Sequence, residues 1–125
     1  MARQIGAVII LDRDADALDL WASEGRARRV RMHLCRAASE ALAALENGDA
    51  AVLVARIDVD DSGAMPAIRA ARDLVPPPQV VVLTERPDEI RRLLREERIN
   101  AEILRPGAAD EILGRFTRVA RETWR

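Results

Sequence analysis

Residues 5–11 read IGAVIIL, a nearly continuous apolar and β-branched run that ends at the acidic residue Asp12. A strand that is apolar along its whole length is typical of a parallel sheet covered on both faces. Residues 50–57, AAVLVARI, and residues 79–84, QVVVLT, repeat this pattern. The three runs therefore predict the central strands of an α/β domain.

Segments with apolar residues at helical spacing separate these runs, which predicts strand-helix units. We expect the first helix over residues 14–24, with Asp14 as its N-cap and Gly25 as the residue that ends it. A second strand is predicted over residues 30–35, because apolar and polar residues alternate there. Its apolar face would hold Val30, Met32 and Leu34.

The rest of the chain continues the alternation of strands and helices. Four more helices are predicted: over residues 39–46, over a segment that starts at Met65 and ends before Pro76, over residues 87–97 and over residues 108–124. A fifth strand is predicted over residues 101–104. Right-handed crossovers between five such units give one domain, residues 1–125, with a parallel sheet and helices on both faces. Reactive groups then lie at the carboxyl ends of the strands.

The composition excludes several classes of protein. The chain has 125 residues with 20 basic and 21 acidic side chains and is 49% hydrophobic, which is enough to bury a core and excludes disorder. Its single cysteine, Cys35, and single histidine, His33, exclude a disulfide framework and most zinc sites, and we expect both to be structural. No apolar run approaches the roughly 20 residues that span a bilayer, so we expect a cytoplasmic protein without a membrane partner. The net charge of -1 argues against DNA binding by this domain.

The residues at the predicted carboxyl edge resemble those of the receiver domain of two-component response regulators. Asp12 matches the first acid of that family, Gly63 the loop glycine, Thr84 the hydroxyl after the fourth strand and Pro106 the proline after the fifth. The resemblance covers essentially the whole chain. It implies a doubly wound, flavodoxin-like fold with strand order 2-1-3-4-5, and a role in bacterial signal transduction.

Four positions depart from the receiver pattern. Arg13 stands at the second acid, Ala55 at the phosphoacceptor aspartate, Arg105 at the lysine and Glu102 at the switching aromatic residue. Acyl-phosphate chemistry needs a carboxylate nucleophile and a divalent cation, so these departures predict a degenerate pseudo-receiver that is not an enzyme. We expect no cofactor and weak or absent Mg²⁺ binding. Arg13 or Arg105 is predicted to pair with Asp12 instead.

The loop after the third predicted strand leaves one alternative open, a working phospho-receiver. Asp58 follows Ala55 by three residues and would then be the phosphoacceptor. That alternative requires the third strand to run through Arg56, which places a charge in a buried strand, and it spoils the spacing to Gly63. An acidic loop exposed to solvent is the simpler interpretation of these aspartates.

Arginine supplies all 20 basic residues, and its forked guanidinium binds phosphates and carboxylates in a bidentate manner. One group surrounds the second predicted strand and is a possible anion-binding surface: Arg26, Arg28, Arg29, Arg31 and Arg36. A second group, on a face through which receivers commonly dimerise or meet targets, is a candidate partner surface: Arg91, Arg95, Glu96, Arg118, Arg121, Glu122 and Trp124.

These observations predict a module that works independently of phosphorylation. We expect it to bind a kinase, a regulator or an effector domain, or to form a homodimer. The alternative function is that of an effector for a cyclic dinucleotide, cyclic di-GMP, because arginine stacks on guanine and pairs with phosphates.

Overall fold

The computed structural model describes residues 6–58, 63–107 and 109–114. Strands and helices alternate along the chain, with a further helical segment, α5, over residues 109–114. The other elements are β1 (Ala7–Leu11), α1 (Ala15–Ala27), β2 (Met32–Cys35), α2 (Ala38–Glu46), β3 (Ala50–Arg56), α3 (Met65–Asp73), β4 (Gln79–Leu83), α4 (Pro87–Glu96) and β5 (Glu102–Leu104). The strands form one parallel sheet in the order β2-β1-β3-β4-β5, so the predicted fold class is confirmed.

Both faces of the sheet are covered, because the central strands are apolar on both sides. On one face α2, α3 and α4 pack over a cluster that includes Ile9, Leu53 and Val82. On the other face α1 and α5 pack over a cluster that includes Val8 and Val54. All five residues of β1 are buried, as expected for a central parallel strand.

The first helix is longer than predicted, and Gly25 does not end it. Helix α1 continues to Ala27, and Asp14 caps its start as predicted, with its carboxylate accepting from the Asp16 N–H at 2.9 Å. Gly25 is buried against β2, where an added Cβ would overlap the Met32 thioether. Its role is close packing, and the left-handed residue after the helix is instead Arg29, with φ of 56°.

The second strand begins at Met32 rather than at Val30, and its burial departs from the predicted alternation. Leu34 is 37% exposed, whereas Cys35 is 3% exposed. Cys35 lies on the face covered by α2 and joins that apolar cluster, while Leu34 lies on the opposite face of an edge strand. Leu34 is therefore more exposed, and Cys35 more buried, than the predicted alternation implies.

The other helices and strands agree with the prediction to within one or two residues. The predicted last helix is confirmed over residues 109–114, and the remainder of that prediction lies outside the described residues. Among the described residues no helix is both long enough and apolar enough to cross a membrane.

Candidate functional site at the carboxyl edge of the sheet

Strand register brings the predicted pocket residues to one edge of the sheet. Leu11 of β1 pairs with Ala55 of β3, and Ala55 pairs with Val82 of β4. The chain then leaves β1 at Asp12 and leaves β4 at Thr84. Because neighbouring parallel strands end together, these positions form a common edge, as the sequence predicts.

Asp12 is almost fully buried and holds the first turn after β1. Asp12 is only 7% exposed, and its Oδ1 accepts a hydrogen bond from the Asp14 N–H at 2.9 Å. The Asp12 N–H donates to the Cys35 carbonyl at 3.0 Å. A carboxylate that accepts a backbone N–H is stabilised locally, so Asp12 has a structural role in starting α1.

Ala55 occupies the centre of this edge and has no polar group. It is 0% exposed and lies in the apolar cluster beneath α2, α3 and α4. It supplies neither a nucleophile nor an oxygen ligand for a cation. Within the part of the chain that the structure describes, no three or more His, Cys, Asp or Glu side chains form a group able to hold a metal ion.

Thr84 and Arg105 both contact the loop between β4 and α4. Thr84 is 0% exposed, its N–H donates to the Leu104 carbonyl at 3.0 Å, and its Oγ1 accepts from the Arg86 N–H at 3.0 Å. The exposed Arg105 donates from Nη1 to the Glu85 carbonyl at 3.5 Å. Both side chains therefore stabilise the local turn.

Two further predicted residues lie at the margin of the edge. Arg13 is exposed, and its carbonyl accepts from Arg36 Nη2 at 3.4 Å. Pro106 is half-buried after β5. The ion pair of Asp12 with Arg13 or Arg105 stays a prediction.

Arg56 is a residue of this edge that the sequence analysis did not select. Strand β3 includes Arg56, which is half-buried, so the objection that a charge cannot lie in this strand is wrong. Its Nε is buried without a hydrogen-bond partner among the described residues and lies 3.7 Å from Asp58 Oδ1. Asp58 itself has a 60% exposed side chain. Arg56 could have been selected from the sequence, because it is the one charged residue within the apolar run AAVLVARI.

Cys35 is confirmed as a buried structural residue. Burial, together with the negative charge of Glu40, raises the pKa of its thiol to about 11. A thiol with so high a pKa carries little thiolate near neutral pH, which argues against a redox sensor. His33 is half-buried, and its Nε2 has no partner among the described residues.

The first arginine group is divided by internal contacts. Arg28 donates from Nη1 to Glu24 Oε2 at 2.6 Å and from Nη2 to the Asp110 carbonyl at 3.0 Å, which joins α1 to α5. Arg31 forms an ion pair with Asp49. Arg26, Arg29, Arg31 and Arg36 are all exposed, and Arg36 also donates to the Arg13 carbonyl. Internal contacts therefore engage Arg28, Arg31 and Arg36, and an anion-binding role of the group stays a prediction.

The second group lies partly on α4. Arg91, Arg95 and Glu96 are exposed there, and Arg91 donates to Asp88 Oδ1 at 3.0 Å. The other members, Arg118, Arg121, Glu122 and Trp124, lie outside the described residues. A groove of about 520 Å³ separates α4 from β5. Its lining includes Arg98, which the sequence analysis did not select.

Solved structures with the same architecture include response regulator receiver domains. A CheY-like receiver domain protein from Methanospirillum hungatei has a TM-score of 0.77 at 19% identity, covering 95% of this chain and 96% of that one. A receiver domain protein from Clostridium thermocellum has a TM-score of 0.75 at 15% identity, covering 94% and 96%. An adenylate cyclase structure from Rhodopirellula baltica has a TM-score of 0.76 at 16% identity, covering 95% and 90%.

These likenesses establish that the chain has the CheY-like receiver fold. No protein-family model matches the sequence, and no curated protein matches it. At such low identity the likeness concerns the fold, so function has to be argued from the residues at the edge of the sheet and on its surface.

Proposed function

We propose that this chain is an atypical receiver-like signalling module that lacks the phosphoacceptor aspartate and acts by protein-protein interaction or dimerisation. The observation that carries the proposal is Ala55, which is fully buried between Leu11 and Val82 at the carboxyl edge of the sheet. Phosphoryl transfer to a receiver needs a carboxylate at this position, and a methyl group offers no nucleophile. The module accordingly has no catalytic activity of its own.

The polar side chains around Ala55 support the same proposal, because the chain itself uses them. Asp12 accepts from the Asp14 N–H, and Thr84 Oγ1 accepts from the Arg86 N–H. Each contact begins the turn into the following helix. The Asp12 carboxylate and the Thr84 hydroxyl thus stabilise one conformation of these turns, and neither contact requires Mg²⁺ or a phosphoryl group.

We propose α4 and β5 as the surface for a partner. Arg91 and Arg95 are exposed on α4 beside the groove that separates it from β5. Charged side chains around an apolar floor favour specific recognition of another protein. We propose that a kinase, a regulator or an effector domain binds there, or a second copy of this chain.

Backbone-amide NMR during a titration with Mg²⁺ and beryllofluoride, a phosphoryl mimic, tests the proposal. We expect no saturable shifts at Ala55, Thr84 and Arg105. The matched control is Asp58→Asn, which removes the acceptor of the alternative phospho-receiver. Saturable shifts in the natural chain that disappear in Asp58→Asn would show a working phospho-receiver and overturn the proposal.

A further inference from the structure

Strand β5 is the last strand at one side of the described sheet. Among the described strands it pairs with β4 alone. The Leu104 carbonyl accepts from the Thr84 N–H at 3.0 Å, so Leu104 directs its main-chain groups toward β4. Main-chain groups alternate in direction along a strand, and Ile103 therefore directs its N–H and carbonyl outward. Such an edge is a template for another strand.

The groove beside this edge combines an apolar floor with a basic rim. Leu94 and Ile99 are 3% and 6% exposed and form the floor together with the half-buried Ile103. The rim carries Arg91 and Arg95 from α4. The floor and the rim both lie on the side of β5 that α4 covers, so the side chains on that one side of an added strand would meet both. Glutamate suits this combination, because two methylene groups precede its carboxylate.

A second groove extends the first toward the amino ends of β4 and β5. It has a volume of about 530 Å³ and shares Arg98, Asn100 and Ala101 with the first groove, while adding Arg72. Arg98 has a left-handed backbone, with φ of 58°, at a position after a helix where glycine is usual. Arg98 thereby lies where the two grooves meet. Four arginines thus line the two grooves, against one lining carboxylate, Glu102. Two of the four are also paired outside the grooves, Arg91 with Asp88 and Arg72 with Asp73.

We propose that an extended acidic segment of a partner protein adds to the outer edge of β5 as a sixth strand, with its carboxylates facing Arg91, Arg95 and Arg98. Strand addition supplies main-chain hydrogen bonds for affinity, and the flanking side chains supply specificity. Two copies of this chain paired edge to edge would bring like charges together, which disfavours self-pairing. The inference rests on the proposed function, because it names the partner chemistry for the same surface.

Amide NMR with a synthetic nine-residue peptide of alternating glutamate and valine, capped at both ends, tests this inference on the full chain. We expect saturable shifts concentrated at Ala101 to Arg105. The matched peptide with lysine in place of glutamate should bind at least about tenfold more weakly. Ile103→Pro removes the outward N–H and also replaces the Ile103 side chain of the groove floor, and proline is tolerated on the solvent side of an edge strand. This variant should also weaken binding about tenfold.

A second measurement leaves the protein unaltered, in case Ile103→Pro does not fold. The acidic peptide methylated on alternate backbone nitrogens cannot form the ladder, so its affinity should fall about tenfold. Equal binding of the methylated and unmethylated peptides, or shifts at the β2 edge instead, would overturn the inference. Self-association through β5, seen as concentration-dependent shifts without peptide, would also overturn it. If the peptide does not bind and beryllofluoride causes no shifts, strand addition alone is overturned. If beryllofluoride causes saturable shifts, the proposed function is overturned.

Discussion

Replacing Ala55 with aspartate tests whether this position is the buried centre of the carboxyl edge. Ala55 is 0% exposed, with Leu11 and Val82 opposite it in the neighbouring strands. An uncompensated charge at such a site costs about 3–5 kcal/mol. At an m-value of about 2 kcal/mol/M in urea, the midpoint of unfolding should fall by about 2 M.

Magnesium should recover part of this loss, because the new carboxylate and Asp12 provide two oxygen ligands at one edge. At ten times its dissociation constant, a cation bound only by the folded state stabilises it by about 1.4 kcal/mol. The assay is urea unfolding of Ala55→Asp with and without Mg²⁺. Ala55→Asn is the matched control, since it has nearly the same size and no charge.

Two outcomes would refute the reasoning about Ala55. A loss of less than about 1 kcal/mol in Ala55→Asp would mean that the position is not buried as described. Equal stabilisation of the natural chain and the variant by Mg²⁺ would mean that the cation binds elsewhere. The first result would remove the observation on which the proposed function depends, and the second would refute the cation site formed by Asp12 and the new carboxylate.

Four further predictions concern individual side chains and one ligand. Thr84→Val leaves the Arg86 N–H without its acceptor and should lower the free energy of unfolding by about 1–2 kcal/mol, measured by urea denaturation. The hydrogen bonds from Arg69 lower the pKa of Glu97 below its ordinary value of 4.5, so their stabilisation is present above that pH and is lost as the pH falls through the lowered pKa. Glu97→Gln should abolish this part of the acid dependence of unfolding, and an unchanged profile would contradict it. Alkylation of Cys35 by iodoacetamide should be slow at pH 8 and accelerate toward pH 11, in line with its pKa of about 11; a rate at pH 8 equal to that of a free thiol would refute its burial. Calorimetric titration with cyclic di-GMP should show no heat at about tens of micromolar, and saturable binding would favour the alternative function.

The strands were predictable because their signal is local. The run IGAVIIL and the run AAVLVARI are apolar on both sides, and this requires a sheet with helices on both faces. The carboxyl edge then follows from the parallel direction of the strands, which is why Asp12, Ala55 and Thr84 were placed together from the sequence.

The parts that were missed depend on contacts between distant residues. Gly25 fits a helix end equally well in sequence, and only its approach to β2 shows that it serves packing. The contact of Arg28 with the Asp110 carbonyl joins residues 82 positions apart. The pair of Arg31 with Asp49 spans 18 positions. Charge counts along the chain therefore overstate how many arginines are available to a ligand.

The close approach of Gly25 to Met32 has a consequence for the evolution of this chain. The two positions share one small volume between α1 and β2, so a larger side chain at position 25 requires a smaller one at position 32. We expect the two positions to covary among homologous sequences, with the summed side-chain volume nearly constant. Gly25→Ala alone should destabilise the fold, because its Cβ would overlap the Met32 side chain. The double variant, Gly25→Ala with Met32→Ala, should lack this overlap.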